Sequence, residues 1–156
     1  MSVNTCVQLF RSRMDTPSLH DQIVQLRKSF FDQGYLDEQF IQLEELQDDA
    51  SPDFVEEVVT SYYSDSARLI QNIDQALAKH PIDFEKLDNY MHQFKGSSSS
   101  IGAKKVVHEC LQFRKYCAAG NAEGCVKTFQ MIKQEHAILR KKLKAYFQLL
   151  TSAGRT

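Results

Sequence analysis

The sequence predicts an all-α fold of about six helices, built around an antiparallel four-helix bundle. Three observations predict it. Apolar residues recur at spacings of three and four along most of the chain, the period of a helix with one buried face. Only six glycines and three prolines punctuate 156 residues, too few for a loop-rich β protein, and no stretch alternates apolar with polar. Helix-start signals also stand where the apolar stripes begin. A chain of this length supports one domain with its own core.

The elements follow in order. Residues 1–17 carry no clear period and read as a flexible leader with a second methionine, Met14. Ser18 and Asp21 form an S-x-x-D capping box for a first helix whose stripe is Ile23, Leu26 and Phe30, and Gly34 stops it. Asp37 caps a second, with Leu36 and Ile41 as its hydrophobic staple and Phe40, Leu43 and Leu46 as its stripe. Ser51-Pro52-Asp53 reads as the start of a third, long helix, with serine at the N-cap and proline at the first helical position. It buries Val55, Val58, Tyr62, Leu69, Ile73 and Leu77 and ends at His80-Pro81.

Asp83 caps a fourth helix with Phe84, Leu87, Met91, Phe94, Ser98 and Ile101 on one face. The fifth, from about Ala103 to Ala119, buries Val106, Cys110, Phe113 and Cys117. Gly120-Asn121 then supplies a stop and a new cap. The sixth runs from about Ala122 to Leu150 over Val126, Phe129, Ile132, His136, Leu139, Leu143, Tyr146 and Leu150. Arg140, Lys141, Lys142 and Lys144 in its last turns suit the negative end of the helix dipole. The organisation is thus a leader at 1–17, a single domain at 18–150 and a disordered tail at 151–156.

Composition narrows the function. A formal net charge of −1 argues against a nucleic-acid binder. That total conceals a split: residues 1–78 hold fourteen Asp/Glu against five Lys/Arg, and residues 79–156 hold six against fourteen. No stretch approaches the roughly 20 apolar residues of a membrane span, and no secretory signal is present. Cys6, Cys110, Cys117 and Cys125 form no C-x-x-C and no zinc spacing, so they read as reduced thiols of a cytosolic or nuclear protein.

Most catalytic motifs fail on spacing. His108-Glu109 begins like a zincin helix, but Gln112 stands where the second histidine is needed. No two histidines share a helix at i, i+4, and there is no P-loop, no G-x-G-x-x-G and no predicted metal site. The Glu-x-x-His pairs of a metal-binding bundle enzyme are missing as well. His136 lies on an apolar stripe and reads as a core histidine; Cys110 and Cys117 read as small hydrophobes.

One segment stands apart, Met91-His92-Gln93-Phe94-Lys95-Gly96-Ser97-Ser98-Ser99-Ser100-Ile101-Gly102. Its serines would suit a linker, yet Phe94, Ser98 and Ile101 carry the stripe through them, so the helix is expected to persist. His92 follows buried Met91 by about 100°, at the edge of the core face or outside it. Lys95 and Gly96, three and four residues on, share its surface. A neighbouring cation favours a neutral, nucleophilic imidazole and offsets the charge of an attached phosphoryl group. Glycine at i+4 leaves room for a partner.

The run from His92 to Ala103 closely resembles the phosphorylation motif of plant histidine-containing phosphotransfer proteins, the Hpt carriers of the cytokinin phosphorelay. The likeness extends to Gly34-Tyr35-Leu36-Asp37-Glu38-Gln39-Phe40, to Leu46-Gln47-Asp48 through Ser51-Pro52-Asp53-Phe54-Val55, and to Asn121-Ala122-Glu123-Gly124-Cys125. It implies that His92 accepts a phosphoryl group from the receiver-domain aspartate of a hybrid sensor histidine kinase and passes it to the aspartate of a response regulator. It gives Lys95, Gly96 and Gln93 supporting positions, and Arg114 falls where Hpt folds place a polar residue near the histidine. Some plant relatives replace this histidine and inhibit the relay; this chain keeps it.

The resemblance further implies a monomeric carrier of cytoplasm and nucleus, with no ATP-dependent kinase activity and no cofactor of its own, Mg²⁺ coming from the receiver. The alternative is a non-catalytic helical adaptor that binds and sequesters receiver domains. The charge split fits either acidic helices packed beside basic ones or a basic surface that steers an acidic partner toward His92.

Overall fold

Local capping sets where the helices begin. The computed structural model describes residues 18–154, so Cys6, Met14 and the leader expected at 1–17 lie outside the described residues. Its six helices are α1 (Leu19–Asp32), α2 (Glu38–Leu46), α3 (Phe54–Ala78), α4 (Phe84–Ser100), α5 (Lys104–Ala118) and α6 (Ala122–Ser152). Ser18 Oγ accepts from the Asp21 amide, Asp37 Oδ1 from Gln39, Asp83 Oδ1 from Lys86 and Asn121 Oδ1 from Gly124. Each bond satisfies an amide that the first helical turn leaves without a partner.

Helices α3, α4, α5 and α6 pack in a ring, each against the next and α6 back against α3. Short connections make neighbours antiparallel, and the four stripes meet in one core. Leu87, Met91 and Phe94 from α4 are fully buried there, as are Phe113 from α5 and Ile132 from α6. Phe113 and Phe129 meet at 6.2 Å between ring centroids. Helix α1 lies outside the ring against α6, where Phe30 stands edge-on to Tyr146 at 5.6 Å. Helix α2 crosses α3 and α4.

The turn after α4 is tied to the α1–α2 connection. The Asp37 amide donates to Gly102 O at 3.0 Å and the Lys104 amide to Tyr35 O at 3.1 Å. Gly102 has φ +76°, and a Cβ there would stand 2.6 Å from Asp37 Oδ1 and 2.8 Å from Phe40 N. Only glycine suits that close approach. The end of the histidine-bearing helix is thereby fixed against a second segment.

Five expectations are corrected. Helix α3 begins at Phe54, not at Ser51-Pro52, because Asp48 Oδ1 takes the Ala50 and Ser51 amides in a turn of its own. Gln47 Oε1 then caps the late start by accepting from Val55 N. Leu46 is 65% exposed, at the last position of a nine-residue helix. Val126 is 43% exposed, and Cys125, one step of about 100° around α6, takes the buried place. The tail expected at 151–156 is helical through Ser152. Arg140 to Lys144 consequently lie two turns or more inside α6, whose last turn has no basic residue.

Among the described residues, Arg27–Glu44, Arg68–Asp65, Arg114–Asp88 and Lys127–Glu123 each join residues from the same half, and Lys133–Asp74 joins the two halves.

Candidate functional site

Helix α4 continues through its serine run, as the apolar stripe requires. Serine hydroxyls compete with helix amides, and here they are absorbed by the helix itself. Ser97 Oγ donates to Phe94 O at 3.1 Å and Ser100 Oγ to Ser97 O at 2.7 Å. Ser98 is fully buried, and its Oγ is 2.7 Å from the Tyr62 hydroxyl of α3. Burial pushes that phenol's pKa up, so it stays neutral. A polar pin of this kind holds α4 in one rotational setting.

That setting turns His92 to solvent while Met91 and Phe94 on either side are fully buried. Gln93 is exposed as well, about 100° further round, and makes no hydrogen bond to the imidazole. Lys95 is half-buried, and its charge acts on the Cys110 thiol rather than through a hydrogen bond to His92. Gly96 is exposed, and nothing lies within 4 Å of the position a Cβ would take.

The cation that touches the imidazole is Arg114 of α5. Its Nη1 is 3.2 Å from His92 Nδ1, while Nε and Nη2 donate to the two carboxylate oxygens of Asp88 at 2.9 and 3.3 Å. The hydrogen bond to Asp88 raises the arginine pKa, so its charge is permanent. Sequence reasoning named Arg114 but missed Asp88. The available signal was its place four residues before His92 on the same helix face. The structure thus brings together Asp88, His92 and Arg114, with Gly96 leaving open space and Lys95 a turn away.

The other candidates serve packing. His136 is 8% exposed; its Nε2 is 2.7 Å from Ser66 Oγ, and its ring lies against Tyr62, Tyr63 and Phe94. Burial, aided by Arg140, lowers its pKa to about 4. Cys110, Cys117 and Cys125 are buried free thiols, and burial pushes Cys110 up to about 12. Lys105 stacks on the Tyr35 ring at 3.8 Å rather than facing His92. Among the described residues no three His, Cys, Asp or Glu side chains are grouped to hold a metal ion, and no helix is long and apolar enough to cross a membrane.

Comparison with known proteins adds the family. Residues 57–148 match the model of the Hpt domain. The chain is 70% identical to histidine-containing phosphotransfer protein 4 of Arabidopsis thaliana over 116 residues, covering 74% of this chain and 91% of the relative. It is 55% identical to pseudo histidine-containing phosphotransfer protein 5 of rice over 141 residues, covering 90% of this chain and 93% of the relative. The crystal structure of a histidine-containing phosphotransfer protein from Medicago truncatula superposes with a TM-score of 0.83 at 45% identity, covering 88% of this chain and 96% of that one. One from maize gives 0.82 at 41%, covering 87% and 99%. With the helical ring, the exposed histidine on α4 and a family match spanning more than half its length, the chain belongs to the Hpt domain family, among the histidine-containing phosphotransfer proteins of plants.

Proposed function

We propose that this chain is a phosphoryl carrier whose acceptor is His92. A receiver domain of a hybrid sensor histidine kinase presents an aspartyl phosphate, His92 takes the phosphoryl group, and the aspartate of a response regulator receives it in cytokinin-type signalling. The observation that carries this reading is a solvent-facing imidazole on an ordered helix, with Arg114 on its inner nitrogen and no side chain at position 96.

Phosphoryl transfer is chiefly a matter of positioning and of neutralising charge. Helix α4 supplies the position, and Lys95 supplies positive charge beside the group in transit. The partner's acidic pocket brings the Mg²⁺. Hpt proteins are carriers rather than kinases, and this one works without ATP. We assign it to cytoplasm and nucleus as a monomer.

The test is transfer from a phosphorylated receiver domain. Wild type takes an acid-labile, base-stable phosphate, and His92→Gln takes none while keeping its circular dichroism spectrum. Equal labelling of that variant overturns the assignment. Lys95→Ala slows single-turnover transfer more than it weakens receiver binding; transfer at the wild-type rate removes Lys95 from the mechanism. Rice relatives that carry the prefix pseudo favour one competing reading, an adaptor that binds receivers without turnover. A receiver complex that forms without any label on His92 establishes that reading instead.

A further inference from the structure

A single guanidinium bridges two groups on one face of α4. Asp88 and His92 stand four residues apart, and Arg114 reaches both, holding the carboxylate through Nε and Nη2 and the imidazole Nδ1 through Nη1. An arginine has donors and no acceptor. Its partner nitrogen must therefore offer a lone pair, which puts the proton of a neutral ring on Nε2. With Nδ1 turned to Arg114, Nε2 is the nitrogen left for a docked partner. A protonated nitrogen has no lone pair to give to phosphorus. The contact thus holds His92 in the tautomer that cannot react through its open side.

We infer that Arg114 is a tautomer latch on His92, and that Asp88 is the acceptor that takes Nδ1–H when the latch opens. The inference rests on the reading of His92 as phosphoryl acceptor. One guanidinium links the carboxylate to Nδ1, so the two groups lie on the same side of α4 four residues apart. An arriving phosphoryl group, more highly charged than Asp88, draws the flexible arginine away from both. Solvent takes the proton from Nε2 and returns one to Nδ1, Asp88 accepts from that Nδ1–H, and Nε2 presents its lone pair outward. As the Nε2–P bond forms, the P–O bond to the donor aspartate breaks and its electron pair leaves with the carboxylate. Nδ1 keeps its proton against Asp88, so once the tautomer has switched no further proton leaves the reacting nitrogen as the bond forms. Arg114 and Asp88 are positioning residues in this scheme: they set which nitrogen reacts.

The experiment is ¹⁵N-imidazole NMR on the full chain in alkaline buffer, with His92 assigned by its loss in His92→Gln. Wild type is expected to show the Nε2–H tautomer with a hydrogen-bonded Nδ1. Arg114→Ala shifts the population toward Nδ1–H, and adding Asp88→Ala, which removes the acceptor, reverses the shift. Phosphoramidate, a small phosphoryl donor that needs no receiver, supplies the kinetic arm. Arg114→Ala should label faster than wild type by roughly three- to tenfold, and the double variant should lose that gain. Arg114→Lys, which keeps the charge but not the fork, should fall between them.

An Nδ1–H tautomer in wild type, or a tautomer ratio indifferent to Arg114, overturns the latch even if His92 is labelled. If the tautomer shifts but wild type takes phosphate from neither phosphoramidate nor a receiver, the acceptor reading falls and the latch stands as a property of the ring. Circular dichroism on each variant separates these outcomes from loss of fold.

Discussion

His92 and His136 are the same side chain under opposite instructions. His92 sits on α4 in solvent, its inner nitrogen facing Arg114 and its outer edge open over Gly96. His136 sits on α6 inside the ring, bonded to Ser66 and enclosed by Tyr62, Tyr63 and Phe94. Burial denies it a proton, with a pKa lowered to about 4. One imidazole is available for chemistry because nothing covers it; the other is a polar piece of core whose bond to Ser66, beside the Tyr63 hydroxyl's bond to the His136 carbonyl, ties α3 to α6. A titratable residue becomes a reagent through what is left beside it.

Exchanging the two losses gives the largest effect. His92→Gln removes phosphoryl acceptance and leaves the melting temperature within about a degree, as surface substitutions usually do. His136→Ala does the reverse. It opens a cavity and removes the shorter of the two hydrogen bonds of Ser66, for a loss of about 3 kcal/mol in denaturant titration. Labelling of His92 in the folded fraction should continue. A stable His136→Ala protein would break the comparison, and so would one that is folded but cannot be labelled.

A pH series sharpens it. The folded protein holds His136 neutral down to about pH 4, whereas the unfolded chain protonates it near 6.5. Between those values the unfolded state binds more protons, so stability rises with pH across the window. The contribution is complete above pH 6.5 and is lost as pH falls toward 4, about 3 kcal/mol in all. Carboxylates titrate at the lower end of the same window, so the readout is the difference between wild type and His136→Gln. Parallel stability curves for the two proteins from pH 7 to 4.5 would show that His136 is not the group responsible.

The bundle was legible in the sequence because its stripes are long. Met91, Phe94, Ser98 and Ile101 carried α4 through four serines against their helix propensity, and core burial prevailed as the spacing required. The start of α3 was less legible. Ser51-Pro52-Asp53 has the local signature of a cap, but Asp48 commits its carboxylate to the Ser51 amide and Gln47 reaches across the turn to Val55. Those side chains decide by rotamer, which local pattern does not encode. His92 was found from helical arithmetic and resemblance together. Asp88 was not found, because an acid on an exposed helix face is ordinary until α5 sets Arg114 above it. Only the register of two helices shows that the arginine bridges both groups.

The smallest effect tests the open side of His92 directly. Gly96 lies in the interior of α4, and nothing comes within 4 Å of the place a methyl group would occupy there. Glycine inside a helix costs roughly 0.5–1 kcal/mol relative to alanine. The fold therefore gives no packing reason for it, and Gly96→Ala should raise stability by about that amount. On the same surface, however, the added methyl stands one turn from His92, where a docked aspartyl phosphate must approach within bonding distance of Nε2. Transfer from a receiver should slow, while labelling by the much smaller phosphoramidate should change less. A variant that gains stability and loses receiver transfer assigns the glycine to the partner's approach. If both rates stay at wild-type values, the empty position beside His92 belongs to neither the fold nor the transfer, and the openness that separates it from His136 reduces to exposure alone.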